Sequence, residues 1–90
     1  SFPSRQRFRR VEIDPRMALA WCNKGNALYD LQRYEEAIGA YDNAIEIDPG
    51  MSLVWYNKAN ALSILGKYEE ALAAHERVRD LDPERSFLLH

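Results

Sequence analysis

Apolar side chains recur along this chain at the three- and four-residue spacing of helices that bury one face. The spacing predicts a helix over 16–31 and a second over 34–47, and the same two-helix pattern returns within 50–83. Asp14 can accept hydrogen bonds from the first free N–H groups of the first helix, and Pro15 suits its first position. The apolar stripes are Trp21, Gly25, Leu28 and Leu31; Tyr34, Ala37, Ile38, Tyr41, Ala44 and Ile45; Trp55, Ala59, Leu62 and Leu65; and Tyr68, Ala71, Leu72, His75 and Val78.

The return of the pattern is a duplication of the sequence itself, at an offset of 34 residues. A period of this length is typical of helix–turn–helix repeats that stack into a solenoid. The triplet Ile13-Asp14-Pro15 precedes Ile47-Asp48-Pro49 by the same interval, so the chain opens on the tail or remnant of an earlier repeat. Identical pairs include Trp21/Trp55, Asn23/Asn57, Lys24/Lys58, Asn26/Asn60, Ala27/Ala61, Tyr34/Tyr68, Glu36/Glu70, Ala37/Ala71 and Pro49/Pro83.

We therefore predict an all-α fold, a single domain in which helix pairs stack as an α-α superhelix. Residues 1–15 form a basic N-terminal segment with a partial upstream helix. Residues 16–49 are the first repeat and 50–83 the second. Residues 84–90 begin a third repeat or cap the second.

The two copies differ where local propensity matters. Gly66 lies between the helices of the second pair, where a left-handed C-cap is usual, and Gln32 occupies that place in the first pair. Gly39 stands inside a helix where the second copy has Ala73. Large residues are expected to fill the space beside small ones, with Trp21/Trp55 and Tyr34/Tyr68 as the large pairs and Gly25/Ala59 and Ala37/Ala71 as the small ones.

The combined pattern, WCNKGNAL followed by YEEAIGAY and AIEIDP and then repeated, resembles the tetratricopeptide repeat family over residues 18–85. The resemblance implies antiparallel helix pairs in a right-handed superhelix, whose concave side is lined by the first helix of each pair. Some residues depart from it: His75 stands where an aromatic matching Tyr41 is expected, and Arg79 replaces the aliphatic Ile45. Lys24 and Lys58 stand where the family usually has leucine, and their stems can pack while their amines reach water. The matching residues are Trp21, Gly25, Ala37, Tyr41, Ala44 and Pro49, then Trp55, Ala59, Ala71, Val78 and Pro83.

Each first helix carries a second stripe opposite its tryptophan, and the resemblance places this stripe in the concave groove. Amide side chains there would bond a peptide backbone, and tyrosine and aliphatic side chains would receive its side chains. The alternative for the asparagines is that they bond neighbouring helices. The predicted groove residues are Leu19, Cys22, Asn23, Asn26, Tyr29, Asp30, Leu53, Tyr56, Asn57, Asn60, Ser63 and Ile64.

Some members of the family grip the C-terminal carboxylates of a partner with lysines, an arginine and asparagines spread over three repeats. Asn26 and Asn60 are compatible with such a clamp. Cys22 and Tyr56, however, occupy places where a clamp lysine would stand. We therefore do not expect this activity.

The composition favours a small globular protein, with 47% apolar residues and a net charge of -2. No apolar run approaches a membrane span, and no leader pattern opens the chain. The first residue is not Met, which indicates a processed or excised piece. The single Cys22 cannot form an internal disulfide, which fits a reducing compartment, and the cytoplasm is the expected location.

The sequence contains no catalytic constellation, so we predict a protein that is not an enzyme. No histidine lies within a helical turn of Cys22, whose thiol is expected to be buried or to line the groove. Glu35-Glu36 and Glu69-Glu70 suit the start of a helix and point in different directions. No motif for a cofactor, a metal or a phosphate is found, and none of these is predicted.

The expected partner is a protein or peptide of unknown identity, bound noncatalytically. One alternative is a structural module that self-associates through its repeat ends. Another is a nucleic-acid binder that uses the N-terminal arginines Arg5, Arg7, Arg9 and Arg10, although a solvated tail is the preferred interpretation of that cluster.

Overall fold

The computed structural model describes residues 14–83, and within them the chain forms four α-helices and no strand. These are α1 (Pro15–Asp30), α2 (Tyr34–Ile47), α3 (Ser52–Ile64) and α4 (Tyr68–Leu81). The all-α prediction is confirmed. The bounds of α2 match the prediction, whereas α1 begins and ends one residue earlier than predicted. The upstream helix, the basic segment and the third repeat or cap fall mainly in 1–13 and 84–90, outside the described residues.

The start of α1 is set by Asp14 and Pro15, as the sequence predicts. The Asp14 carboxylate accepts a hydrogen bond from the backbone N–H of Arg16 at 3.0 Å, and Pro15 occupies the first turn. The Arg16 guanidinium beside Asp14 holds the pKa of that carboxyl below its ordinary value. The helix therefore begins where a charged acceptor and a residue without an N–H coincide.

Both helix pairs turn through the same left-handed C-cap, although only the second has a glycine there. The N–H of Arg33 donates to the carbonyl of Leu28 at 2.9 Å, and the N–H of Lys67 donates to Leu62 at the same distance. The cap residues are Gln32, with φ 65°, and Gly66, with φ 82°. Because a side chain makes this conformation unfavourable, the first turn is less stable locally than the second.

The helices pack in chain order, α1 on α2, α2 on α3 and α3 on α4, and α1 also contacts α3. Two clusters of buried side chains follow from this order. The first joins both repeats and the second lies mainly within α3 and α4. Their members are Cys22, Ala37, Tyr41, Ala44 and Val54 in the first, and Ala59, Leu62, Ala71 and Ala74 in the second.

Tyr41 makes the closest approach in the first cluster, where its ring lies against the backbone of Gly25. A Cβ atom on Gly25 would stand 2.5 Å from the Tyr41 Cε1 atom and 2.7 Å from Cδ1. The second repeat carries Ala59 and His75 at the same two positions. Glycine at position 25 and tyrosine at position 41 are therefore matched in size.

Three side chains assigned to the apolar stripes are exposed, so that part of the prediction is wrong. Leu31 is 63% exposed, Leu72 is 60% exposed, and Tyr68 is 70% exposed and does not fill the space beside its helix as predicted. Tyr34, the equivalent of Tyr68, is half-buried, and its ring meets that of Tyr29 on α1 edge-on. His75 is also only half-buried, and its ring meets that of Tyr56 edge-on at 5.9 Å.

The two glycines of the first helix pair give opposite expectations for the same substitution. Gly39→Ala should raise the free energy of unfolding by about 0.5–1 kcal/mol, since alanine is the better helix former and nothing lies within 4 Å of the new Cβ. Gly25→Ala should lower it by about 1–2 kcal/mol, because the Tyr41 ring must move. Urea denaturation of both variants measures the two effects.

The control places Gly25→Ala in a Tyr41→His background, which reproduces the residue pair of the second repeat. The alanine should then be tolerated much better than in the parent chain. An equal cost of Gly25→Ala in both backgrounds would contradict the assignment of its effect to the Tyr41 ring.

Candidate peptide-binding groove

The predicted groove residues lie on α1 and α3, which run side by side in the stack. Each helix brings an aliphatic side chain to the surface at its start, Leu19 being 52% and Leu53 47% exposed, and Ile64 is exposed at the end of α3. Asn23 and Asp30 are also exposed. Those that lie partly below the surface are Asn26, Tyr29, Tyr56, Asn57, Asn60 and Ser63.

Five of the predicted residues meet around one pocket of about 160 Å³, which spans both repeats. Asn26, Tyr29 and Asp30 come from α1, and Asn57 and Asn60 come from α3. The sixth lining residue is Tyr41 of α2, which the sequence assigns to the core alone. Tyr41 is assigned to the core because it lies in the apolar stripe of α2. Its side chain is long enough for the hydroxyl to reach the floor of the groove.

A hydrogen-bonded node under this pocket ties three helices together. The Tyr41 hydroxyl donates to the Asn26 Oδ1 atom at 2.7 Å, and the Asn57 Nδ2 atom donates to the same oxygen at 3.1 Å. Asn26 therefore serves α1, α2 and α3 at once, and the alternative that asparagines bond neighbouring helices holds for Asn26 and Asn57. Asn60, the equivalent of Asn26, makes no side-chain hydrogen bond within residues 14–83.

Aromatic rings and one carboxylate determine the electrostatic environment of the pocket. Burial raises the pKa of Tyr41 to about 12, and the nearby Cys22, Tyr29 and Asp30 add to the rise. Tyr29 is held by an edge-on contact with Tyr34, with 5.2 Å between ring centroids. Asp30 is the single formally charged residue of the predicted groove set. The pocket therefore combines a carboxylate, aromatic rings and amides.

Cys22 does not line the groove, since only 2% of its surface is exposed and it packs in the first core cluster. Burial raises the pKa of its thiol, which keeps the thiol protonated and unreactive. In the sequence, Cys22 lies between the two stripes of α1, so helical spacing alone allows it to face the core or the groove. In the structure it packs in the core cluster that contains Tyr41.

The opposite stripe forms a larger pocket of about 530 Å³ around Trp55, between α3 and α4. Lys58 and Arg77 lie over the Trp55 ring, at 5.5 Å and 5.4 Å from its centroid. A pocket of about 460 Å³ lies around Trp21, where Lys24 is 5.1 Å from the ring centroid and Asn43 stands at the position equivalent to Arg77. In both pockets a lysine ammonium group therefore lies over the tryptophan ring of its own helix.

None of the helices within residues 14–83 is long and apolar enough to cross a membrane. No group of three or more His, Cys, Asp or Glu side chains in the same part of the chain is arranged to hold a metal ion.

The node predicts an alkaline loss of stability that one substitution removes. The unfolded phenol of Tyr41 titrates near its ordinary pKa of about 10, whereas the folded one titrates at about 12. Between these values the unfolded state loses a proton that the folded state keeps. The free energy of unfolding should therefore be unaffected by this group below about pH 10 and fall by about 2–3 kcal/mol as pH rises towards 12.

Tyr41→Phe should be about 1 kcal/mol less stable near neutral pH, since Asn26 loses one donor, and should lose less stability in the alkaline window. Denaturant titrations from neutral to alkaline pH give both quantities. Tyr68→Phe, which removes a phenol outside the node, is the matched control. Parallel profiles for the parent and Tyr41→Phe would show that this phenol does not cause the alkaline loss.

Comparison with known proteins places this geometry in a family. The family model described as the tetratricopeptide repeat matches residues 18–51 and 52–85. A search of curated proteins found no match. Among solved structures, the chain is similar to the first tetratricopeptide repeat domain of Spaghetti (RPAP3) bound to the HSP90 peptide SRMEEVD.

The TM-score with that structure is 0.77 at 27% sequence identity, and the match covers 81% of this chain. It covers 58% of the other chain, which is less than two thirds of its length. The two matched repeats, the four-helix stack and this structural likeness agree. The chain belongs to the tetratricopeptide repeat family, whose fold is a noncatalytic protein-interaction fold.

Proposed function

We propose that this chain is a noncatalytic scaffold that binds a peptide segment of another protein in the groove between α1 and α3. The observation that carries the proposal is the pocket that both helices build, with Asn26, Tyr29, Asp30, Asn57 and Asn60 around it. The exposed Leu53 and Ile64 extend the surface along α3. The Spaghetti domain, which binds the HSP90 peptide SRMEEVD, supports a peptide as the class of ligand.

The amides of the groove suit the backbone of an extended peptide. The Asn26 oxygen is already occupied by two donors, so its part is to hold the floor. Asn60 makes no side-chain hydrogen bond within the described residues, which leaves its oxygen and its NH₂ group for a ligand. Since each amide both donates and accepts, Asn60 can pair with a peptide group in the way that a neighbouring strand does.

The charge of the groove favours a basic side chain in the ligand. Asp30 supplies a carboxylate at the pocket, and none of the twelve predicted groove residues is Lys or Arg. A lysine or arginine side chain would pair with Asp30 and lie near the ring of Tyr29. An acidic terminus such as that of SRMEEVD would meet the same carboxylate without a cation to bind it. We therefore propose a peptide that bears Lys or Arg.

Selection from a randomised peptide library on the 90-residue chain tests this proposal. The selected peptides should be enriched in Lys and Arg over Asp and Glu. Binding should be micromolar or weaker, since two repeats offer a short groove. For a selected basic peptide, Asp30→Asn should weaken binding by about two- to fivefold, on the scale of an exposed charge pair.

The matched control is Asp80→Asn, which makes the same change on α4, away from the groove residues, and should leave the affinity unchanged. Chemical-shift mapping with the same peptide should place the shifts on α1 and α3. Enrichment of acidic peptides would contradict the proposed ligand class. Shifts confined to the outer surfaces of α2 and α4 would contradict the groove itself.

A further inference from the structure

The outer side of α4 presents apolar residues whose equivalents on α2 are covered. Leu72 is 60% exposed, whereas Ile38, 34 residues earlier, packs against the cluster of Ala59 and Leu62. Tyr68 is likewise more exposed than Tyr34. The cover on α2 is α3, the first helix of the following repeat. The internal contact between α2 and α3 therefore defines what would fit on α4.

Two polar pairs accompany the apolar packing at this internal junction. The Lys58 Nζ atom lies 2.6 Å from the Asp42 Oδ1 atom across α2 and α3. The Asn57 Nδ2 atom donates to the Asn26 Oδ1 atom at 3.1 Å across α1 and α3. Met51 packs beside them against the first core cluster. These contacts fix the register of one repeat on the next.

The residue types that form these pairs recur at the two ends of the stack, with one member of each pair at each end. At the α4 end, Glu76 and Asn60 stand 34 residues after Asp42 and Asn26. At the α1 end, the same interval before Met51, Asn57 and Lys58 gives Met17, Asn23 and Lys24. Each of the five keeps the chemistry of its equivalent, and the three on α1 are identical residues.

The recurrent groups are also open to a partner. Met17 is 51% exposed, and Asn23, Lys24 and Glu76 are exposed as well. Lys24 already lies over the Trp21 ring at 5.1 Å, as Lys58 lies over Trp55 at 5.5 Å. The ammonium group of Lys24 is therefore positioned as that of Lys58 is in the internal junction. Within residues 14–83, however, Lys24 has no acidic ion-pair partner such as Asp42 is for Lys58.

We propose that copies of this chain stack end to end, with the α4 face of one copy on the α1 face of the next. Glu76 of one copy pairs with Lys24 of its neighbour, the Asn60 oxygen accepts from Asn23, and Leu72 is covered. The two faces are different surfaces, so the contact is heterologous and adds copies in a row instead of closing a dimer.

The junction between copies should be weaker than the internal one. Ala20 stands where the internal junction has the fully buried Val54, and Arg79 stands where it has Ile45. The smaller and the charged side chain each reduce the apolar area that the contact removes from water. Association should therefore be concentration-dependent rather than obligate.

Charge reversal tests the pairing, with sedimentation of the 90-residue chain from micromolar to millimolar concentration as the measurement. The parent chain should grow beyond a dimer as concentration rises. Lys24→Glu alone and Glu76→Lys alone should each weaken association by about three- to tenfold, since each places like charges at the junction. An equal mixture of the two variants should regain the parent behaviour, because every mixed junction again joins opposite charges.

Glu69→Lys is the control for net charge, since it makes the same change elsewhere on α4 and should associate like the parent. Leu72→Asp should abolish association while leaving the midpoint of thermal unfolding nearly unchanged, because the side chain is exposed in the monomer. A parent chain that stays monomeric at millimolar concentration would overturn the proposal. So would growth that stops at a dimer, or a mixture that associates no better than its two components.

Discussion

The stack depends on one side chain, Tyr41, that passes between the two repeats. Its ring rests on the backbone of Gly25, and its hydroxyl reaches the Asn26 oxygen that Asn57 also bonds. The ring therefore sets the spacing of α1 and α2, while the hydrogen bond from Asn57 to the same Asn26 oxygen helps to set the register of α3 on α1. A polar group buried without these partners would be costly, so the satisfied node selects this arrangement over other packings of similar apolar helices.

The second repeat shows what the stack loses without that side chain. His75 stands in place of Tyr41 and turns its ring to Tyr56, and Asn60 keeps its amide without the two donors that Asn26 receives. The same residue type thus joins three helices in the first repeat and makes no side-chain hydrogen bond within residues 14–83 in the second. In the proposed groove, a ligand would complete the hydrogen bonding of the Asn60 amide.

Most of the fold could be predicted because the signals are local. The cap at Asp14, the left-handed turns at Gln32 and Gly66 and the bounds of α2 follow from residues within one helical turn of each site. The burial of Tyr68 and Leu72 could not be predicted in the same way, since it depends on whether another helix follows. Periodicity shows which face can be covered and does not show what covers it.

The candidate site could also be predicted only as far as local helical spacing determines it. Helical spacing aligns Asn26, Tyr29 and Asp30 on α1 with Asn57 and Asn60 on α3, and these residues do meet around one pocket. The spacing could not show that Cys22 would turn inward or that the Tyr41 hydroxyl would reach the floor, because both depend on packing between helices. Contacts across the stack decide such positions, and a single sequence records them only through the sizes of paired residues such as Gly25 and Tyr41.

The groove and the stack ends are linked by Asn60, which belongs to both. In the internal junction, the amide of the following repeat saturates the oxygen of Asn26 and turns it from a recognition group into part of the floor. The same event at Asn60, in the proposed stack of copies, would bring Asn23 of the neighbour beside Asn60 and lengthen the groove by one repeat. The proposed peptide recognition and the proposed end-to-end stacking would therefore use the same amide, and a peptide that occupied Asn60 alone would compete with stacking. A longer peptide that continues onto the neighbour would instead favour it, because its binding energy would be shared by both copies.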